Sequence, residues 1–479
     1  MGKSRRFRLS ATLESSAQVH KELATTVRNR YLNHEIDKKT KQEKSLQNLK
    51  HLTQWFEGSR LTVQPKKLHA FLEFSFTKIS KMIAQSSHHE DVKQELQARA
   101  ILRMNHQLES IRRVLAGDFR PSNTGRDERL HTLLTQMKRE LRSFLLYDGE
   151  PLVSLDIRSS QPYFFTALLS KKFYIMGERQ IHGWKSLVSG LATSSQPLPS
   201  TSNTNTNIYS TIFPGASKLS KKQLFMKCVF PLISWSEGFY KDFSRRINGN
   251  EPTPAEVDRI KKKSMWLFFE PKGRKFHSSE FKDFTAFYPI EAGVIQGIHS
   301  VKPGLLPLLL QRLEARVLLY DITKTITSRL PAAPLFTIHD SILTTPKYAS
   351  QVKEIMITEL TTYIGVAPGI KEEHKTDKSE FASSIDEEGV IGTRTGVDSF
   401  AERTFKSIED SYKKAERQAR KRGEKPYSFA HVELGEPLLW EPPSNDGRTM
   451  FSPRHFNLER ALRTLGFSEA LEEYPSDES

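Results

Sequence analysis

Three features of the sequence predict an α+β fold, a small antiparallel sheet set among many helices. Two short strand-like runs, Leu152-Val153-Ser154-Leu155-Asp156-Ile157 and Leu335-Phe336-Thr337-Ile338-His339-Asp340-Ser341-Ile342-Leu343-Thr344, are rich in residues that favour strands. The stretches between and around them carry apolar residues at helical spacing. Each strand-like run also presents one acid: Asp156 ends the first, and Asp340 stands in a polar turn that splits the second into two strands. An aspartate so placed is costly to shield from water unless something positive meets it. The two runs are therefore expected to lie side by side in one sheet.

Composition narrows the partners. The chain has 479 residues, enough for two or three compact units, and 37% of them are hydrophobic. Lys and Arg number 72 against 56 Asp and Glu, a formal charge of +16 that suits nucleic acid first and an anionic membrane second. Cys228 is the only cysteine, which excludes disulfide scaffolds and cysteine zinc sites and fits a reducing, cytoplasmic setting. No run approaches the ~18 apolar residues of a membrane helix. Met1 to Leu13 is basic and acid-free but lacks the apolar core of a secretory signal; it resembles a short organellar transit peptide or a basic arm.

Along the chain, residues 15 to about 117 read as helical. Leu46, Leu49, Leu52 and Phe56 make one stripe, Leu68, Phe71, Leu72, Phe76 and Ile79 a second, with Gly58 and Pro65 marking the turn between. Pro121 to Gly125 is loop, and basic residues follow it. Asp148-Gly149 is a turn that feeds the first strand, and Gln161 to Leu169 reads as a helix with Pro162 early in it. Residues 195 to 216 are a polar loop, and helical texture returns from Lys221 to Phe243. Thr253, Pro254 and Glu256 form a capping box ahead of the helix Asp258 to Phe269. Leu305 to about Ile326 is a long buried helix, and Ala349 to Tyr363 an amphipathic one. Beyond about 376 the chain reads as a polar tail, with a basic helical run from Lys413 to Arg422 and an acidic end.

The two acids suggest a chemistry. Phosphoryl transfer to a sugar hydroxyl needs charge neutralised on the entering and leaving oxygens, and two magnesium ions ~3.5–4 Å apart, bridged by carboxylates, supply it. Asp156 and Asp340 are the candidate metal ligands. Arg259 and Lys263 stand four apart, share a helical face, and are candidates to grip a triphosphate, Lys263 as the catalytic cation.

The order of these pieces resembles family A DNA polymerases and the single-subunit phage-type RNA polymerases. Thr124-Gly125-Arg126 with Arg129-Leu130-His131-Thr132 looks like that group's primer–template segment, and Leu141-Arg142-Ser143-Phe144 like its Arg-x-x-Phe. Asp156 falls in motif A, Arg259-x-x-x-Lys263 at the start of motif B with Phe268 or Phe269 as its aromatic residue, and Ile338-His339-Asp340-Ser341 in motif C. The core also resembles polymerase-like proteins of mobile genetic elements with an Asp-Ile-x-x-Ser-Gln-Pro signature. The likeness spans roughly 120 to 370.

That resemblance implies a right-hand architecture with an antiparallel-sheet palm and mostly helical fingers and thumb. The thumb-like unit would be residues 1–120, the first palm segment 121–170, the fingers 171–300, the second palm segment 301–375, and the tail 376–479. It implies a primer–template and nucleoside triphosphates as partners, no membrane, and two Mg2+ ions with Mn2+ as a substitute. Arg126, Arg129, His131, Gln311 and His339 would face nucleic acid; Arg259, Gln161, Phe268 and Phe269 would face the nucleotide. Departures are plain: motif A lacks the glutamate that excludes a 2′-hydroxyl, Pro271 stands where motif B carries Tyr-Gly, and Ser341 replaces a glutamate of motif C. A single-subunit RNA polymerase and a non-catalytic binding factor on a decayed palm are the alternatives. A bare phenyl ring in motif B leans the expectation to deoxynucleotides, and the tail is expected to add affinity while being dispensable for chemistry.

Overall fold

The computed structural model describes residues 40 and 42–169 except 124, positions 173, 187, 188 and 385, residues 238–374 except 271–272, and residues 395–423. The polar loop near 195–216, the stretch 221–237, Thr124, Pro271 and the acidic end lie outside them. The elements used below are β1 (Leu61–Val63), α1 (Pro65–Gln85), α2 (Glu90–Leu115), β2 (Leu145–Tyr147), β3 (Glu150–Pro151), β4 (Val153–Ile157) and α3 (Ser160–Phe165). They continue with α4 (Phe239–Asn248), α5 (Pro254–Phe269), α6 (Ser279–Phe287), α7 (Pro289–Val301), α8 (Leu305–Arg316), α9 (Thr323–Arg329), β5 (Phe336–Ile338), β6 (Ser341–Thr344), α10 (Pro346–Ile364), β7 (Ile370–His374) and α11 (Thr395–Arg422). The result is α+β: helices dominate, and two small antiparallel sheets hold the strands together.

The larger sheet has the order β5-β6-β4-β7, with all pairings antiparallel. Val153, Leu155 and Ile157 on β4 are buried, as are Ile342 and Leu343 on β6, so the sheet sits inside the core. β4 alternates these apolar residues with Ser154 and Asp156, which puts both polar groups on one face. Helix α10, whose Val352, Met356 and Leu360 are fully buried, covers the sheet.

The N-terminal helices follow their apolar stripes. Pro65 opens α1 at its first position, where its missing N–H costs nothing, and Leu68, Phe71, Leu72, Ile79 and Ile83 point inward. Between the two predicted helices the chain forms β1, which pairs with β2. A three-residue strand gives no periodicity to read, so a plain turn was expected there. Thr253 and Glu256 cap α5 reciprocally, as the sequence suggests. The long buried helix is interrupted: α8 passes through a π-helical turn, Val317–Ile322, before α9.

The expected tail is corrected in part. Residues Thr395–Arg422 form one helix that packs on α1 and α2 and buries Val397, Phe400, Ala401 and Ile408. The Phe400 ring lies 5.1 Å from Phe71. This stretch completes the N-terminal helical unit and does not hang free of it. Among the described residues no helix is long and apolar enough to cross a membrane.

Candidate active site

The sheet brings the two aspartates to one end. β4 and β6 pair with Asp156 opposite Ser341, the residue after Asp340. The Ile157 N–H donates to the Asp340 carbonyl at 3.3 Å. β5 and β6 are joined by His339-Asp340 alone, and His339 takes φ +54°, a region few non-glycine residues visit. Ser341 Oγ donates to the Ile338 carbonyl at 2.8 Å and braces that turn.

Like charges gather here. Burial pushes the Asp156 carboxyl above its usual range, and the negative charges of Glu373 and Asp340 push the same way. Hydrogen bonds from Ser341 and Ser154 oppose this; Ser154 Oγ lies 3.2 Å from Asp156 Oδ1. Glu373, on β7 beside β4, is neutralised by Arg139 at 2.7 Å and by Lys371. Asp156 on β4 and Asp340 in the turn between β5 and β6, whose charge acts on Asp156, form a donor set that a hard divalent cation fits. Among the described residues no group of three or more His, Cys, Asp and Glu is placed to hold a metal. A cation here would rest on the two aspartates and on oxygens from its substrate.

Helix α5 faces this end differently from expectation. Its buried face is Ile260, Ser264, Leu267 and Phe268. One flank carries Lys261 and Met265: the Lys261 ammonium lies 6.0 Å from the Tyr240 ring, and the Tyr240 hydroxyl lies 3.9 Å from the Met265 sulfur. Tyr240, on α4, is buried and feels the charge of Asp340; burial first, then that charge, raises its phenol. Gly238, just before α4, approaches Ser159 at the end of β4 so closely that a Cβ there would lie 3.4 Å from the serine oxygen. The other flank carries Arg259 and Lys263, and Lys263 is paired with Glu280 of α6. Lys263 thus points away from Tyr240. Lys263, expected at the triphosphate, here meets Glu280 instead. Phe268 is corrected too: it is fully buried among Phe165, Phe239 and Phe284, and no sugar can reach it. Phe269, half-buried and four residues beyond Met265, lies at the end of the Lys261 flank.

Behind the aspartates lies a buried polar network. Glu314 of α8 is 1% exposed, and its carboxyl is pushed up to about 7, by burial first and with Asp340's charge adding. It accepts from Arg129 and, at 2.7 Å, from Gln161 Nε2. Arg129, expected on nucleic acid, therefore turns inward. Gln161 is held by one end of its amide, and its Oε1 is buried without a hydrogen-bond partner among the described residues.

The remaining expected nucleic-acid residues lie around this network. Arg126 is exposed, and its carbonyl accepts from Arg312 at 2.8 Å. His131 pairs with Asp127 at 3.3 Å, and Gln311 is half-buried one turn before Glu314. His339 stands at the tip of the turn, its imidazole held below its ordinary range by desolvation and by the charges of Arg129, His131 and Arg142. Lys261, Tyr240 and Glu373 stand near these groups without being among the residues expected from the sequence. Lys261-x-x-x-Met265-x-x-x-Phe269 was readable as a stripe, whereas Tyr240 and Glu373 carried no local signal.

No family model matches the chain, and no curated protein matches it. Among solved structures it is similar to the POL domain of Pol1 from M. smegmatis, in complex with DNA primer-template and dNTP. The TM-score is 0.41 and the identity 10%, over 70% of this chain and 69% of that one.

Proposed function

We propose that the chain is a template-directed nucleotidyltransferase that extends a primer with nucleoside triphosphates. The observation that carries this reading is the placement of Asp156 and Asp340 at one end of one sheet, where the charge of Asp340 adds to burial in raising the Asp156 carboxyl. Asp156 and Asp340 would hold two divalent ions, Mg2+ with Mn2+ as a substitute. When bound, these supply charge neutralisation at the entering and leaving oxygens of phosphoryl transfer.

The protein's own residues divide the remaining work. Lys261 is the cation on the flank of α5 nearest Tyr240 and offers its ammonium to the triphosphate, where charge grows as pyrophosphate departs. Tyr240 is the wall beside it. Gln161, expected at the nucleotide, is anchored through Nε2 on Glu314 and braces the buried network behind the aspartates. Phe269 is the bare ring at the end of that flank and offers no hydrogen bond to a ribose 2′-hydroxyl, which favours deoxynucleotides and DNA as product. The sequence resemblance places such an activity in copying a mobile element, plasmid or virus. It also supports a thumb, palm and fingers within the boundaries given above, with residues 395–423 moved to the first unit.

The test is primer extension with DNA and RNA templates, offering dNTPs and NTPs separately. Extension with dNTPs that is lost on chelation and in Asp340→Asn is expected. No extension under any combination, or full extension by Asp340→Asn, rejects the reading.

A further inference from the structure

Away from the aspartates, helices α2 and α11 and the segment 136–141 line a cleft of about 400 Å3. Its lining combines cationic and apolar side chains. Arg103 and His106 come from α2 and Lys138 from the segment 136–141; Leu102, Leu141 and Ile408 form the apolar part. No acid lines it among the described residues. Arg99, also in the lining, already has Glu95 as a partner.

Arg103 is the informative residue. It is half-buried, and its donors reach only neutral acceptors of α11: the Thr404 carbonyl at 3.1 Å and the Ser407 hydroxyl at 3.0 Å. Burial alone perturbs its guanidinium, with no counter-charge acting on it. A guanidinium has five N–H donors in a fork that matches phosphate, so most of this fork has no assigned use. Lys138 and His106, which also line it, are both exposed. On α11, Ser411 lines the cleft, and the same side of that helix continues through Lys414, Lys421 and Arg422, all exposed.

We propose that this cleft binds a phosphodiester strand of nucleic acid. One phosphate sits on Arg103 and Lys138, a sugar or base lies against Leu102, Leu141 and Ile408, and the next phosphates follow Lys414, Lys421 and Arg422 along α11. A free nucleotide could fill the cleft but could not use the cations beyond it, so the row along the helix selects a strand. The site exists only because α11 folds back onto α2. The choice of nucleic acid as ligand rests on the proposed function; the oxyanion site itself does not.

The test uses the full chain and a fluorescently labelled single-stranded oligonucleotide, titrated by anisotropy across a salt series, with ATP and inorganic pyrophosphate as competitors. Arg103→Gln with Lys138→Gln should weaken strand binding about tenfold and flatten the salt slope by one to two units, since each lost phosphate contact removes roughly one. Extension of a saturating primer–template should survive in this variant. If Arg103→Gln lowers the melting temperature, Lys138→Gln alone, at an exposed position, carries the test with about a threefold loss. Unchanged affinity and slope overturn the proposal. So does competition by ATP or pyrophosphate alone with strand affinity unaltered in the variants, which would make this a small-molecule phosphate site. Absence of extension by the unmodified chain, with strand binding still dependent on Arg103 and Lys138, would reject the proposed function and leave the cleft assignment standing.

Discussion

The acidic and the cationic halves of the candidate site are built on different principles. Asp156 and Asp340 sit on strands paired residue by residue, inside a sheet covered by buried side chains. Lys261, Arg259 and Lys263 sit on exposed positions of a single helix. The backbone ladder places the acids with no help from their own side chains, whereas each lysine must find its place through a flexible stem. The contrast extends to buried glutamates. Glu314, behind the sheet, is gripped by Arg129 and Gln161. Glu291, in the helical half on α7, is as buried, and its Oε1 has no partner among the described residues. Charge is preorganised in one half and left to the substrate or to protonation in the other.

The largest effect should come from the preorganised half. Asp156→Asn and Asp340→Asn should each lower primer extension by at least about a thousandfold, because the lost charge acts on the transition state, with nucleic-acid binding retained in a gel-shift titration. Residual extension within tenfold of the parent would break the comparison at its centre.

Glu314→Leu comes next. It strands Arg129 without its anion, a loss of about 3–5 kcal/mol in urea unfolding, whereas Glu314→Gln keeps a hydrogen-bond acceptor and should cost less than half of that. Equal costs would mean that the lost charge, common to both variants, and not the hydrogen bonds that Gln keeps, holds the network.

On the cationic half, Lys261→Ala should reduce turnover roughly ten- to hundredfold, while Lys263→Ala, tied to Glu280 on the far flank, should change it less than about threefold. Single-turnover kinetics of the two variants side by side decides this. The opposite order would return Lys263 to the triphosphate.

The smallest effect concerns stability. The Glu291 carboxyl is raised to about 7 by burial, so the fold favours its protonated form. Its stabilising contribution is fully present below the ordinary glutamate value of about 4.5 and is lost as pH rises through about 7. Glu291→Gln should therefore gain about 1–3 kcal/mol at pH 8 and almost nothing at pH 4. A gain independent of pH would point to packing instead.

Periodicity and capping were sufficient for much of the fold. The stripes of α1, the capping box of α5, the buried run of α8 and the strand–turn–strand around Asp340 are all local patterns, in which each residue constrains neighbours within a few positions. Register and flank are not local. Which residue of β4 stands opposite Ser341 depends on a chain segment more than 180 positions away, and the strands' apolar alternation only restricts it to one parity. Which side of α5 faces Asp340 depends on where α4 and α6 pack. That placement separated Lys261 from Lys263 and sent Phe268 into the core.

By itself, then, the sequence determined that two acids would stand at the ends of neighbouring strands and that the chain would carry a large positive charge. These follow from residue type and spacing alone. Only the tertiary structure decided that Arg129 turns inward to Glu314, that Lys263 is spent on Glu280, and that residues 395–422 close the N-terminal helices and form a cationic cleft. A long charged side chain can pair with any opposite charge its stem reaches. Its role is therefore set by the elements packed beside it, and those are chosen by burial of apolar faces far away in the chain.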